Sequence, residues 1–231
     1  MTNILLTGSS RGIGAAIAQT LDRPGVSLIG HGTRSGIPAD FADPAGPQAL
    51  WNAALERLGT IDVLINNAGI FEDNPLDRDA YAWVADWERT MRVNLTASAE
   101  LCRLAVLHWQ QRGVGGRIVN VASRAAYRGD SPAHWHYAAS KAGMVAMTKT
   151  IARGYAAQSI LAFAICPGFT MTGMAAEYLS SRGGEKLLAD IPLGRVAEPS
   201  EVADVARFLA LEAPASMTGS VIDVNGASYV R

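Results

Sequence analysis

Two cysteines in 231 residues, Cys102 and Cys166, are too few and too far apart for a disulfide framework, and they lack thiolate metal-site spacing. They suit a reducing, cytoplasmic setting. No apolar run approaches the roughly 20 residues that a membrane helix needs. Met1 is followed almost at once by Ile4-Leu5-Leu6, without a charged leader and a long apolar segment, so neither a secretory signal nor a membrane partner is expected. Neither sign of charge is in excess: 20 basic residues against 21 acidic ones leave a net charge of −1. That excludes the basic footprint of a nucleic-acid binder. No ligand triad of His, Cys, Asp or Glu suggests a metal. What is present is a globular composition, 49% hydrophobic and 18% charged, at a length that fits one domain spanning residues 1–231.

Short apolar runs at 3–7, 26–31, 63–66, 117–122 and 160–166, with 220–224 near the end, alternate with helical patterns at 12–21, 48–58, 87–112, 136–156 and 200–210. Alternation of this kind predicts βαβ units, hence an α/β fold whose parallel sheet is covered on both faces. The Gly/Pro-rich stretch 33–47 reads as a loop, since it is too short to separate domains.

Several motifs sit on this frame. Thr7-Gly8-Ser9-Ser10-Arg11-Gly12-Ile13-Gly14 follows the first strand and opens the first helix. Glycine there lets the backbone approach a pyrophosphate, and the helix start supplies amide donors and a positive dipole end. The spacing, Gly-x3-Gly-x-Gly, departs from the G-x-G-x-x-G fingerprint. Tyr137 and Lys141 stand four apart on a helical pattern and share one face. A cation beside a phenol lowers its pKa from ~10 and makes it a usable general acid or base, although ordinary surface helices carry such pairs too.

The glycine loop, Asn66-Asn67-Ala68-Gly69 after the fourth strand, Ser123 after the fifth, Tyr137-x3-Lys141, and Pro167-Gly168 after the sixth occur in that order. Together they resemble the short-chain dehydrogenase/reductase family in its single-domain form, over residues 3–226. The branch most resembled is that of the 3-oxoacyl-acyl-carrier-protein reductases, from the lid length and the ending Val224-Asn225-Gly226. The resemblance implies a three-layer Rossmann fold with a doubly wound, mainly parallel, seven-stranded sheet. It also implies a catalytic group of Asn94, Ser123, Tyr137 and Lys141. Tyr137 would give a proton to the carbonyl oxygen, Ser123 would hydrogen-bond it, and Lys141 would lower the Tyr137 pKa and bind ribose hydroxyls. Asn94 would hold a water linking Lys141 to solvent. Cofactor contacts are expected from Gly8, Ser10, Arg11, Gly12, Ile13 and Gly14, from Asn67, Ala68 and Gly69, from Tyr137 and Lys141, and from Pro167, Gly168 and Thr170. Asn67 is expected to tie neighbouring strands as well.

After the second strand the chain reads Ile29-Gly30-His31-Gly32-Thr33-Arg34-Ser35, with no acid to accept ribose hydroxyls. Arg34 and Arg11 suit a 2′-phosphate, which favours NADP(H) over NAD(H). Only five residues separate Arg34 from Asp40, the family's acid at the end of the third strand. A helix plus turns needs about 10–12, so the helix between the second and third strands is expected to be missing. Asp40 and Phe41 then come close to the 2′-phosphate loop.

Thr170, Met171, Met174, Tyr178 and Leu179 are expected to line an apolar lid, and residues 130–136, with His134 and His136, to rim the site. The basic residues that could dock an acidic carrier protein, Arg112, Arg117, Arg124 and Arg128, are few and scattered. The reading is therefore a reductase interconverting a small-molecule ketone and secondary alcohol, its substrate open. An NAD-dependent alcohol or sugar dehydrogenase is the runner-up. A non-catalytic nucleotide sensor on the same fold would be expected to lose Tyr137 or Lys141. By family analogy the chain forms a homo-oligomer, a tetramer or dimer, through the helices at 87–112 and 136–156.

Overall fold

The structure, a computed structural model, describes residues 1–172 and 184–231. The predicted lid residues Met174, Tyr178 and Leu179 lie outside the described residues. Seven strands form one sheet: β1 (Thr2–Leu6), β2 (Val26–Gly32), β3 (Ile37–Pro38), β4 (Val63–Asn66), β5 (Gly116–Val121), β6 (Ile160–Pro167) and β7 (Val221–Val224). Their order is β3-β2-β1-β4-β5-β6-β7, and each neighbouring pair is parallel. The order reverses between β1 and β4, so the crevice beyond their carboxyl ends is where such a sheet places a ligand.

Alternating side chains divide the sheet into two cores. Leu5, Leu64, Ile118 and Ala162 face α2 (Gly46–Leu58) and α4 (Ala97–Arg112). Ile4, Leu6, Val63, Ile65, Val119, Val121, Phe163 and Ile165 face α1 (Gly12–Leu21) and α8 (Pro199–Leu211). The central strands β4 and β6 are buried from end to end, and each fully buried Leu or Ile contributes about 1.5–3 kcal/mol.

The remaining helices carry local signals for their ends. α3 (Ala80–Met91) starts where the Asp79 carboxylate accepts from the N–H groups of Tyr81 and Ala82. This places its start seven residues before the predicted 87. It runs into α4 through one π-helical turn, Arg92–Thr96. α8 begins with Pro199 and a reciprocal capping box between Glu198 and Glu201. α5 (Ala125–Arg128), α6 (Trp135–Tyr155) and α7 (Gly184–Ala189) complete the described α-helices. None of the described helices is long and apolar enough to cross a membrane.

As expected from spacing, no helix joins β2 to β3. The chain turns at residues 33–36, makes an antiparallel bridge from Gly36 back to His31, and runs forward again with Ile37 beside His31. Gly36 has φ +64°, and a Cβ there would lie 2.1 Å from the Gly30 carbonyl oxygen. Only glycine fits this fold-back.

Candidate active site

The glycine loop is stitched to the end of β4. The Thr7 hydroxyl accepts from the N–H groups of Asn67 and Ala68, both at 3.0 Å. Asn67 in turn donates from Nδ2 to the carbonyls of Thr7 and Gly8, at 3.1 and 2.9 Å. This is the strand-tying role expected of Asn67. Gly14 is pressed against the loop, and a Cβ there would sit 1.9 Å from the Gly8 oxygen. The first turn of α1 carries no acidic residue, and Arg11 gives it no side-chain cap. Its N–H groups and dipole are thus left for an anion. The residues present fit a dinucleotide pyrophosphate.

The four predicted catalytic residues come from three places. α6 presents Tyr137, Ser140 and Lys141 along one side, with Ser140 and Lys141 buried. Ser123 follows β5 and is half-buried, and its Oγ accepts from Ala125 N–H at 3.1 Å. Lys141 donates from Nζ to Val121 O at 2.9 Å and stands 5.8 Å from the centre of the Tyr137 ring. Asn94 is fully buried in the π-helical turn. Its amide accepts from Ile70 N–H at 2.8 Å, donates to Ile70 O at 3.0 Å, and reaches Ser140 Oγ at 3.3 Å. Asn94 therefore clamps the segment after Gly69, whose backbone lies against Asn94 and Lys141. Such π-turns recur at functional sites because they re-aim a side chain out of the helical ladder.

The electrostatics depart from expectation in one respect. Burial pushes the Tyr137 phenol up to about 12, opposed by its hydrogen bond with Ser123. Burial also draws Lys141 down to about 8. The expected lowering of the phenol by Lys141 is not found. Desolvation disfavours both charged forms, and it outweighs the attraction between groups this far apart. At neutral pH the phenol keeps its proton.

Sequence reasoning missed three supporting groups. Phe71 packs edge-on against Tyr137, with centroids 4.7 Å apart, and stacks on His134 at 3.8 Å. Its place two residues after Gly69 was the available signal. A buried chain runs from Asn66 Nδ2 to Asn120 Oδ1 (2.9 Å) and from Asn120 Nδ2 to Thr148 Oγ1 (2.8 Å), joining β4, β5 and α6 beneath the site. The third is His31. Its Nδ1 accepts from Gly8 N–H at 3.3 Å while Nε2 faces Ala39 O at 3.0 Å. The ring stacks on Phe41 at 4.4 Å. Burial lowers its pKa, so the neutral ring uses one nitrogen as acceptor and the other as donor.

On the adenine side Arg11, Arg34 and Asp40 are exposed, and neither arginine has an ion pair among the described residues. Asp40 caps its own turn through Ala42 N–H at 2.9 Å. Phe41 is core, only 4% exposed. It shapes this end from beneath His31 instead of opening onto it. Ser10 is exposed and Ile13 half-buried. Across the crevice, Thr170 is buried and Met171 N–H donates to Ala197 O at 2.8 Å. The next residue, Thr172, brings its methyl within 3.0 Å of where a Cβ on Gly12 would stand. The segment leaving Pro167 and Gly168 therefore closes over the glycine loop.

A family profile described as Enoyl-(Acyl carrier protein) reductase matches residues 8–227. Curated relatives extend over nearly the whole chain. The 3-oxoacyl-(acyl-carrier-protein) reductase of Vibrio cholerae is 34% identical, covering 98% of this chain and 96% of its own. That of Escherichia coli K12 is 33% identical with the same coverage. The chain belongs to the short-chain dehydrogenase/reductase family. As a short-chain dehydrogenase/reductase it is an NAD(P)-dependent oxidoreductase acting on CH–OH or keto groups. Its fold is shared with the ligand-free aldohexose dehydrogenase of Thermoplasma acidophilum, at a TM-score of 0.87 and 27% identity, covering 100% of this chain and 94% of that one.

Proposed function

We propose that the protein is a single-domain, NADP(H)-dependent reductase that interconverts a ketone and a secondary alcohol, with Tyr137 as general acid and base. The observation that carries this reading is the convergence of Ser123, Tyr137 and Lys141 at the ends of β5 and α6, beside the Asn94-clamped loop. A bound nicotinamide supplies or accepts the hydride. Ser123 hydrogen-bonds the carbonyl oxygen and Tyr137 donates its phenolic proton to that oxygen as negative charge grows there. Lys141 uses one donor on Val121 O, which leaves two for ribose hydroxyls. Asn94 fixes Ile70 and so the backbone beside Lys141, and a water held in this turn would connect the lysine to solvent.

A phenol protonated at neutral pH suits the reductive direction, in which it acts as an acid. Arg11 and Arg34, exposed and without partner carboxylates among the described residues, are the residues assigned to a 2′-phosphate, and no acid directly after β2 opposes one. The carrier-protein relatives suggest 3-oxoacyl thioesters, but the basic surface such docking needs is sparse. Arg117 is turned inward to the carbonyls of Leu209 and Ala213, at 3.0 and 2.9 Å, and Arg112 is occupied with Thr60. A small-molecule carbonyl is therefore the favoured substrate, reduced in the cytoplasm by a homo-oligomer. The aldohexose dehydrogenase likeness keeps NAD-dependent sugar oxidation as the second reading. Oxidation of NADPH and of NADH, followed with a panel of ketones and 3-oxoacyl thioesters, separates the two. Tight cofactor binding without turnover of any carbonyl would instead favour a nucleotide sensor.

A further inference from the structure

Arg124 directly follows Ser123 and has no part in the chemistry above. Its N–H donates to Pro167 O at 2.9 Å, tying the segment after β5 to the end of β6. The guanidinium lies over the Phe169 ring, 5.0 Å from its centroid. Only 10% of its side chain is exposed, yet its guanidinium makes no hydrogen bond among the described residues, and Nη1 is buried without a hydrogen-bond partner there. The nearest carboxylate, Asp190, is 3.6 Å away and is hydrogen-bonded by Arg128 instead. Two guanidiniums thus share one carboxylate. Asp130 acts on Arg124 only at a distance, so among the described residues the positive charge beside Ser123 has only this shared carboxylate, which does not hydrogen-bond it.

Folding does not leave a buried charge half-paired and without hydrogen bonds at no cost, and arginine does not relieve it by losing its proton. A guanidinium seated on an aromatic ring with its fork uncommitted is suited to a planar, two-oxygen acceptor. We propose that Arg124 is the anion-binding residue of the substrate pocket and that the oxo substrate carries an oxyanion, a carboxylate by the count of charges, near its reacting carbonyl. The naming of a reducible substrate rests on the oxidoreductase reading; the anion site itself does not.

Matched pairs test it: acetoacetate against methyl acetoacetate, and dihydroxyacetone phosphate against dihydroxyacetone, each with the preferred cofactor. Wild-type protein should favour an anionic member by about tenfold or more in kcat/KM. In Arg124→Gln the ratio should fall toward one, and Arg124→Lys, a point charge without the fork, should lie between. Equal rates for the members of both pairs, or a preference that survives Arg124→Gln, would overturn the proposal. Preference for the phosphate pair, lost in Arg124→Gln, would keep the oxyanion site and replace the carboxylate. Calorimetric titration of 3-hydroxybutyrate reads the site without turnover. Binding that disappears in Arg124→Gln supports it even if no carbonyl is reduced, an outcome that would sink the proposed ketone-reductase reading alone. No binding to wild type, with no charge preference in turnover, overturns it. Melting temperature and cofactor affinity show whether each variant is folded, and the Lys variant serves if the Gln variant is not.

Discussion

The two walls of the crevice are held by different physics. On the side of β4, β5 and β6, the site is fixed by polar side chains that hydrogen-bond backbone: Asn67 to Thr7 and Gly8, Asn94 to Ile70, Lys141 to Val121. On the side of β2 and β3 a missing helix is replaced by a stack. His31 lies on Phe41 and links the glycine loop to Ala39, across a connection of four residues. A wall built on backbone hydrogen bonds tolerates little change, because each lost bond strands a buried partner. A wall built on one neutral ring can be shortened, and it also becomes sensitive to protonation.

The sharpest break should come on the first wall. Tyr137→Phe removes only a hydroxyl, and turnover should fall by about 10²–10⁴, with cofactor affinity by fluorescence titration nearly intact. Retention of most activity would refute the assignment. Next is the seam between the walls: Gly14→Ala places a methyl 1.9 Å from the Gly8 oxygen. Its melting curve should report a loss of about 1–3 kcal/mol, together with weaker binding of both cofactors.

Smaller effects belong to the second wall. Arg34→Ala or Arg11→Ala should reduce the preference for NADPH over NADH by about tenfold each, the loss of one charge-assisted contact. Affinity for NADH should hardly move, and equal losses for both cofactors would remove the 2′-phosphate assignment. The least is a pH effect at His31. Burial places its folded pKa below the ordinary 6.5, so the unfolded chain takes up the proton first. The stability it contributes is complete above pH 6.5 and is lost as pH falls toward the folded value. His31→Phe keeps an aromatic ring over Phe41 and forgoes two hydrogen bonds, about 1–2 kcal/mol at pH 8. In denaturant titrations the gap between wild type and variant should narrow on acidification. A constant gap from pH 8 to 5 would show that the ring does not titrate against Gly8.

Much was legible beforehand because it is written in periodicity. β1, β4, β5 and β6 and the helices α1, α2, α6 and α8 read from apolar spacing to within two residues. The five residues counted between Arg34 and Asp40 exclude a helix by length alone. The π-turn was not legible, since Arg92–Thr96 carries the same apolar pattern as the helices on either side. Nor was the start of α3, where one exposed Asp79 carboxylate decides the end.

By itself, then, the chain order of the glycine loop, Asn67, Ser123, Tyr137 and Lys141 determined the family, the fold and the residues to watch. Those are local properties of spacing and of strand-to-helix turns. Only the tertiary structure decided how these groups are charged and what holds them. Tyr137 and Lys141 were a plausible ion pair on paper, but packing removes water from both and raises the phenol while lowering the amine. Desolvation, like the seating of His31 on Phe41 or of Arg124 on Phe169, depends on which surfaces come together. Residues so far apart in the chain acquire it only when the sheet is assembled.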